Sequence, residues 1–568
     1  MLQTQEKYIN FIEGTKKELA VVDALSNEDF GLENVKKEIA DTQIIIPVIG
    51  AFSAGKSTLL NSFLSDKYLN VAVTPETALA TELRYGLKEE IVAIKEDGSE
   101  VRFNVRVDDE KIKEQASEFK YLKCYANQQV IKEIEPMVLV DMPGFESPLD
   151  SHNKAILEYI QRGSYFVVLQ SVEDGNITAS MTRELENLQN FGRNFAFFLS
   201  KTNLKSPSEV EQIAEKIQEQ LDDYFDIKEQ IACIDNNGGR SLRSIISKID
   251  PEELVKKMFV EVLRDKHSQI KQSINMCISG LQGSKAENDA KIKELEKGIA
   301  NLKSEQDMMI SDVEARYARN NVNSIVESVG KALSLSVSDI ASTFMSQGQE
   351  AANNLIKDIT MNALSSSVSN SIKDVNKSII DTLTGGLEFL NKTMANSENS
   401  QDWSKVLNNT ATALSTSAVS AVGGMAASLA AKTGIKATIG VALNASMPII
   451  GTIITAVIML LPNLLSGLFG NSENKQKEAI QQAILGQVIP QIKSSVREQI
   501  PEVFSKQVIT MIETISNDFK EKIEQSTKAL KKTQEKLDKE KLDTEALIVK
   551  YKAVIANIDN LASQSLYK

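Results

Sequence analysis

Eight consecutive residues, Gly50-Ala51-Phe52-Ser53-Ala54-Gly55-Lys56-Ser57, fit the pattern GxxxxGK[ST], and Thr58 follows them. Glycines at those places let the backbone curl until successive N–H groups face one anion. An apolar run before the loop (43–49) and a helix-like TLLNSFL after it (58–64) supply a strand and a helix. The helix would turn its positive N-terminal end to the same anion. The loop therefore predicts a phosphate cradle built from Gly50, Ser53, Ala54, Gly55, Lys56, Ser57 and Thr58. Lys56 is expected on the β- and γ-phosphates and the Ser57 hydroxyl on Mg²⁺. Further along, Asp141 ends the apolar run of MVLVDMPGF. A carboxylate at the C-terminal edge of a parallel strand stands where ligands gather. Asp141 is expected to hold Mg²⁺ through water, and the Gly144 N–H to sense the γ-phosphate. Between these motifs lies Thr74-Pro75-Glu76-Thr77-Ala78. A threonine there could cap Mg²⁺ and orient an attacking water; Thr77 is the first choice and Thr74 the second.

The elements that must position these residues follow from hydrophobic patterning. Apolar runs at 43–49, 137–140, 165–170, 195–200 and 231–235 read as buried strands. Helix-like segments such as 153–162 and 180–190 separate them, and Asp97-Gly98 marks a hairpin within 91–106. Strands alternating with helices predict an α/β domain with a mainly parallel sheet. Residues 1–40 read as helical, with Tyr8, Ile12, Leu19 and Val22 at helical spacing.

After Pro251 the pattern changes. No proline occurs until Pro448, and Ile292, Leu295, Ile299 and Leu302 step by 3, 4 and 3, with Met309 and Val313 extending the stripe. Near the end, Leu547, Tyr551, Val554, Ile558 and Leu561 step by 4, 3, 4 and 3. Both stripes predict helical-bundle or coiled-coil packing. Between these arms, 406–431 and 437–472 contain no Asp, Glu, Lys or Arg, and only Lys432 and Lys436 interrupt. Residues 449–469 approach the ~20 apolar residues that span a bilayer, but Pro462 breaks them. The stretch 437–472 is expected to form a membrane-inserting hairpin, a helix pair buried inside the trunk being the alternative. Trp403, just before the charge-free zone that begins at 406, reads as a packed trunk residue or an interfacial anchor.

The chain thus divides into an N-terminal helix packing on the neck (1–40), a nucleotide-binding domain (41–245), outgoing neck and trunk helices (246–405), an apolar tip or paddle (406–472) and returning helices (473–568).

Composition narrows the function. Lys and Arg number 64 against 77 Asp and Glu, a formal charge of −13, which argues against nucleic acid as the partner. Three cysteines form no CxxC pair, and two histidines cannot build a His-rich metal site. The first residues carry no basic segment followed by an apolar one, so a cytoplasmic location is expected.

GAFSAGKSTLLNSFL, PETALATELRYG and DMPGFES together resemble bacterial dynamin-like proteins, the LeoA-like members in particular, over about residues 44–205. The order of the remaining segments is also similar along the whole chain. The resemblance implies a dynamin-type GTPase head with GTP as substrate and Mg²⁺ as cofactor. It also implies a helical neck and trunk, and a tip that binds membrane lipid peripherally. It further implies head-to-head self-association, partnership with other dynamin-like proteins, and membrane remodelling or vesicle formation. Ser53 matches the position thought to order the β-phosphate or a monovalent cation. Two departures stand out. The guanine-reading [NT]KxD pattern becomes Ser200-Lys201-Thr202-Asn203, so Lys201 can still pack over a base but Asn203 lacks the carboxylate. Phe52 stands where classical dynamins place Gln, which implies slow hydrolysis without a partner or assembly. A rival reading from another class is a membrane-inserting, pore-forming or secretion-associated helical protein with a regulatory nucleotide site. A coiled-coil ATPase of chromosome-maintenance type is disfavoured by the acidic charge and by the lack of a second nucleotide half-site.

Overall fold

The computed structural model describes residues 1–69, 79–95, 97–105, 107–144, 163–190, 193–387, 473–539 and 543–567, with positions 159, 390 and 409 besides. Its helices run, in chain order, as α1 Gln3–Leu19, α2 Leu32–Ala40, α3 Lys56–Leu64, α4 Asp109–Glu114, α5 Gln129–Glu133, α6 Ala179–Asn190, α7 Pro207–Phe225 and α8 Gly239–Ile246, followed by α9 Pro251–Gln282, α10 Lys285–Ser311, α11 Arg319–Leu335, α12 Val337–Gln347, α13 Gln349–Leu387, α14 Glu473–Ala483, α15 Ile489–Lys539 and α16 Thr544–Ser565.

Among the described residues, nine strands form one sheet in the order β4-β3-β5-β2-β6-β1-β7-β8-β9. Its centre is β1 (Ile44–Gly50), buried at every position, as expected of a parallel strand covered on both faces. It runs parallel to β6 (Met137–Asp141) and β7 (Tyr165–Ser171), and β8 (Asn194–Ser200) and β9 (Ala232–Cys233) continue the parallel half. The anticipated hairpin is β3 (Glu90–Lys95) and β4 (Glu100–Phe103), with Gly98 at φ +83 in its turn.

Two strands were not anticipated, β2 (Thr81–Tyr85) and β5 (Phe119–Ala126). β5 alternates buried and half-buried residues, so it offers no continuous apolar run. β2 joins β6 antiparallel and β5 parallel, which makes the sheet mixed. The N-terminal helical segment is two helices rather than one. Phe30 and Gly31 take φ +55 and +75 immediately before α2, a left-handed step that no continuous helix accommodates.

Beyond the sheet the chain is helical. The α15 helix, 51 residues long, is the strut on which the earlier helices lie. α9 runs parallel to it, Asp265 meeting Lys522 and Gly280 meeting Leu530 and Thr533. α10 returns antiparallel, with Asn288 bonded to Gln534, Glu296 to Lys531, and Gly298 beside Ile523. The expected stripes are the buried faces: Leu295, Leu302, Met309 and Val313 on one side, Tyr551, Val554 and Ile558 on the other. α1 packs on α9 and α16, and Lys536–Asp23 and Lys532–Glu28 pairs tie the segment after α1 to α15. Among the described residues no helix is long and apolar enough to cross a membrane. Residues 406–472, apart from Asn409, and Trp403 lie outside the described residues.

One contact in the bundle is costly to disturb. The Lys522 ammonium is 3% exposed between Asp265, at 3.0 Å, and Asp518. Burial opposes its charge, but the two carboxylates outweigh that and hold its pKa above the ordinary lysine value. Removing one partner of a buried ion pair leaves an uncompensated charge. Lys522→Ala should therefore cost roughly 3–5 kcal/mol in urea unfolding, and a loss within about 1 kcal/mol, as for a surface pair, would show that the triad does not hold α9 to α15.

Candidate functional site

The loop after β1 builds the site because β1 ends in Gly50, hard against the neighbouring strand. A Cβ on Gly50 would lie 2.4 Å from the Leu169 carbonyl of β7. Ser53 and Gly55 then take φ +60 and +91, curling the backbone before α3 starts at Lys56. Lys56 is buried, and its Nζ donates to the Gly50 carbonyl at 3.0 Å and the Ala51 carbonyl at 2.8 Å. The ammonium is thus folded back over the loop from which it would reach a phosphate.

Parallel pairing of β1 and β6 sets Val48 opposite Asp141, which brings the end of β6 beside the loop. The Ser57 hydroxyl donates to Asp141 Oδ2 at 2.6 Å. Asp141 Oδ1 is buried and has no hydrogen-bond partner. Burial pushes the Asp141 carboxyl above its usual range, and the Ser57 bond and the Lys56 charge oppose that shift. A hydroxyl beside a carboxylate with an unused oxygen is a donor set that suits a hard divalent cation such as Mg²⁺. Gly144 lies against the loop, where a Cβ would come within 2.8 Å of the Phe52 backbone. Thr77 and Thr74 lie outside the described residues.

On the other side of β1, the Ser200 hydroxyl at the end of β8 donates to the Ala54 carbonyl at 2.7 Å and to the Gln170 carbonyl at 3.1 Å. This fastens β8 to the loop. Lys201 follows at φ +58, with its ammonium 2.7 Å from Glu173. That pairing holds the Glu173 carboxyl below its usual range.

A cavity of about 450 Å³ joins both sides, within the range of small-molecule sites. Of the anticipated residues, Ser53, Gly55, Lys56, Ser57, Thr58, Asp141, Gly144 and Lys201 line it. Gly50 and Ala54 shape the loop beneath, and the structure does not bring Asn203 to the cavity. Asn203 is exposed on the short 3₁₀ turn Thr202–Leu204. The lining instead includes Asp235 and Asn236, from the loop after β9, which sequence reasoning missed. The available signal was the same one that exposed Asp141: an acid directly after an apolar strand, here Ile231-Ala232-Cys233-Ile234-Asp235.

The Asp235 loop is fixed to the phosphate loop's own helix. A Cβ on Gly238 would meet Leu59 at 2.9 Å, and one on Gly239 would meet the Ser62 backbone at 2.4 Å. The Gly239 N–H donates to the Ser62 hydroxyl at 3.0 Å. Gly239→Ala should force α8 away from α3 and cost about 1–3 kcal/mol, as overpacking does. Thermal unfolding would read this as a lowered midpoint, and an unchanged midpoint would mean that the two helices are not held at this contact.

Compared with known proteins, residues 46–202 match the Dynamin family. Dynamin-like protein 2 of Campylobacter jejuni is 26% identical over 260 residues, 42% of either chain. The chain thus matches less than half the length of that relative. A probable transmembrane GTPase, FZO-like and chloroplastic, from Arabidopsis thaliana is 25% identical over 180 residues, 32% of this chain and 17% of the other. Among solved structures, the LeoA bacterial dynamin GTPase from ETEC aligns over 98% of both chains at 14% identity and a TM-score of 0.30. A chain of an oligomerised bacterial dynamin pair aligns over 98% of this chain and 82% of its own, at 16% identity and a TM-score of 0.39. Scores this low do not establish a shared arrangement of head and helices.

Proposed function

We propose, from the match of residues 46–202 to the Dynamin family, that the protein binds GTP and hydrolyses it to GDP and phosphate. The observation that carries the reading is Lys56 and the Ser57–Asp141 pair sharing one cavity at the end of β1.

In this reading the N–H groups of the loop from Gly50 to Thr58 bind the phosphates. Lys56 exchanges its bonds to the Gly50 and Ala51 carbonyls for β- and γ-phosphate oxygens. Ser57 and Asp141 would hold Mg²⁺, together with Thr77, and the ion when bound neutralises charge on the phosphate oxygens. Thr77 orients the attacking water, and the Gly144 N–H meets the γ-phosphate. Water attacks phosphorus in line, its oxygen forming the new P–O bond as the bond to the β-phosphate bridging oxygen breaks. Ser53 orders the β-phosphate, or a monovalent cation beside it. Phe52 is 44% exposed at the cavity and cannot hydrogen-bond to water, which supports slow turnover until a partner or self-assembly completes the site.

Lys56→Ala should weaken binding of a fluorescent GTP analogue by ~100-fold or more, the loss of a buried charge-assisted contact at two phosphates. Binding that survives this change would place the phosphate site elsewhere.

The coupled activity we propose is membrane remodelling or vesicle formation by a peripherally attached, self-associating protein of the cytoplasm, with other dynamin-like proteins as further partners. Support comes from the sequence: 437–472 carries no charge, and Lys432 and Lys436 precede it, each worth about 1 kcal/mol near anionic headgroups. Co-sedimentation with liposomes containing anionic lipid should be lost when 437–472 is deleted, and equal binding by wild type and deletion would remove that stretch from the mechanism.

A further inference from the structure

Selecting GTP over ATP is a matter of one edge of the base. Guanine presents two adjacent donors, N1–H and the 2-amino group, where adenine presents the N1 lone pair and a C–H. A carboxylate facing that edge accepts both guanine donors with charge assistance and repels the adenine lone pair. The sequence offers an amide, Asn203, at the place where such a carboxylate is expected; Asn203 and Asp235 are both exposed, but only Asp235 lines the cavity.

The sheet order says where the base must go. The phosphate-binding loop leaves β1, and the proposed cation site lies one strand over, at the end of β6. The rest of a nucleotide must therefore extend the other way, over β7, β8 and β9. Three acids line the cavity: Asp109, Asp141 and Asp235. Asp141 is engaged with Ser57. Asp109 opens α4, which follows β4 at the far end of the sheet. Among the described lining residues, only Asp235 is an acid on the base side, where Lys201 also lines the cavity.

We propose that Asp235 is the residue that reads guanine, in place of Asn203, on the reading above that the cavity binds GTP. Its loop is held rather than free. The Ile234 N–H donates to the Leu199 carbonyl at 2.8 Å and the Thr202 N–H to the Ile234 carbonyl at 3.1 Å, so the ends of β8 and β9 are laced together one residue before Asp235. The Asn237 N–H donates to Asp235 Oδ1 at 2.7 Å, closing a turn of the kind Asp favours and fixing the carboxylate's direction. Gly238 and Gly239 then lock the loop to α3. The Lys201 ammonium is paired with Glu173 at 2.7 Å, so its stem can cover the base while its charge is met elsewhere.

The test compares the full-length chain with Asp235→Asn, Asp235→Ala and Asn203→Ala, measuring affinity for GTP, ATP and xanthosine triphosphate by competition against a fluorescent nucleotide. Asn at 235 can still accept the Asn237 N–H, so the turn survives. Xanthine replaces the 2-amino donor with a carbonyl, which an Asn amide complements. Wild type should prefer GTP over both competitors. Asp235→Asn should lose about 10- to 100-fold for GTP, the scale of one charge-assisted contact pair, and gain for xanthosine triphosphate. Asp235→Ala should lose GTP without that gain, while ATP binding, which rests on the phosphates and no longer meets a repelling carboxylate, is not lowered in either variant and shows that the loop is folded. Asn203→Ala should leave the preference intact. Unchanged selectivity in Asp235→Asn, selectivity that moves with Asn203, or a wild type indifferent to the base overturns the proposal and leaves nucleotide binding standing. A wild type that binds no triphosphate overturns both.

Discussion

A carboxylate held out of water next to a hydroxyl, at the end of two paired strands, is the constraint on which the head depends. Ser57 begins α3 and Asp141 ends β6, and their side chains meet only because β1 and β6 run parallel with Val48 opposite Asp141. A slip of one residue would turn Asp141 to the other face of the sheet. Burial raises the cost of the Asp141 charge, and Lys56 and Ser57 offset part of it. One oxygen remains buried and unpaired. Such an atom costs on the order of 1–3 kcal/mol, so the fold carries local strain that a bound cation is suited to relieve.

The helical half meets a similar difficulty by a different solution. Between α9 and α15 a lysine is buried with two aspartates, and every charge has its partner inside the bundle. Such a triad adds little net stability compared with apolar packing, but it fixes which residue of one helix faces which residue of the other. Parallel α9 and antiparallel α10 both lie on α15, whose own apolar face would tolerate neighbouring registers. Lys522 and Asp265, with the Asn288–Gln534 bond further along, pick one.

Much of this was legible in the amino-acid order, and the gaps have physical reasons. The parallel strands carry continuous apolar runs because both faces are covered, so β1, β6, β7 and β8 could be read directly. β5 could not, since lysines interrupt the apolar residues of FKYLKCYA and only Phe119, Leu122, Cys124 and Ala126 are buried. The loop GAFSAGKST and Asp141 were legible because their chemistry depends on local spacing and on strand ends. The base side depends on which strand lies beside which. Motif logic looks for the reader just after β8, at Asn203. The short 3₁₀ turn carries that residue outward, and β9, only two residues long, delivers Asp235 instead.

The two sides of the cavity are also mechanically joined. Ser200 bonds the carbonyl of Ala54 in the phosphate loop, and Gly239 sits so close to Ser62 that no side chain fits between. α3 and α8 are therefore packed without a gap at this contact. Only four residues, Ser247 to Asp250, separate α8 from the start of α9 at Pro251. The Asp250 carboxylate caps α9 by accepting from the Glu252 and Glu253 N–H groups, and Glu252 in turn accepts from the N–H groups of Gln3 and Thr4 at the start of α1. The phosphate loop's helix, α8, α9 and α1 are thus joined in turn by close contacts and by side chain-to-backbone hydrogen bonds.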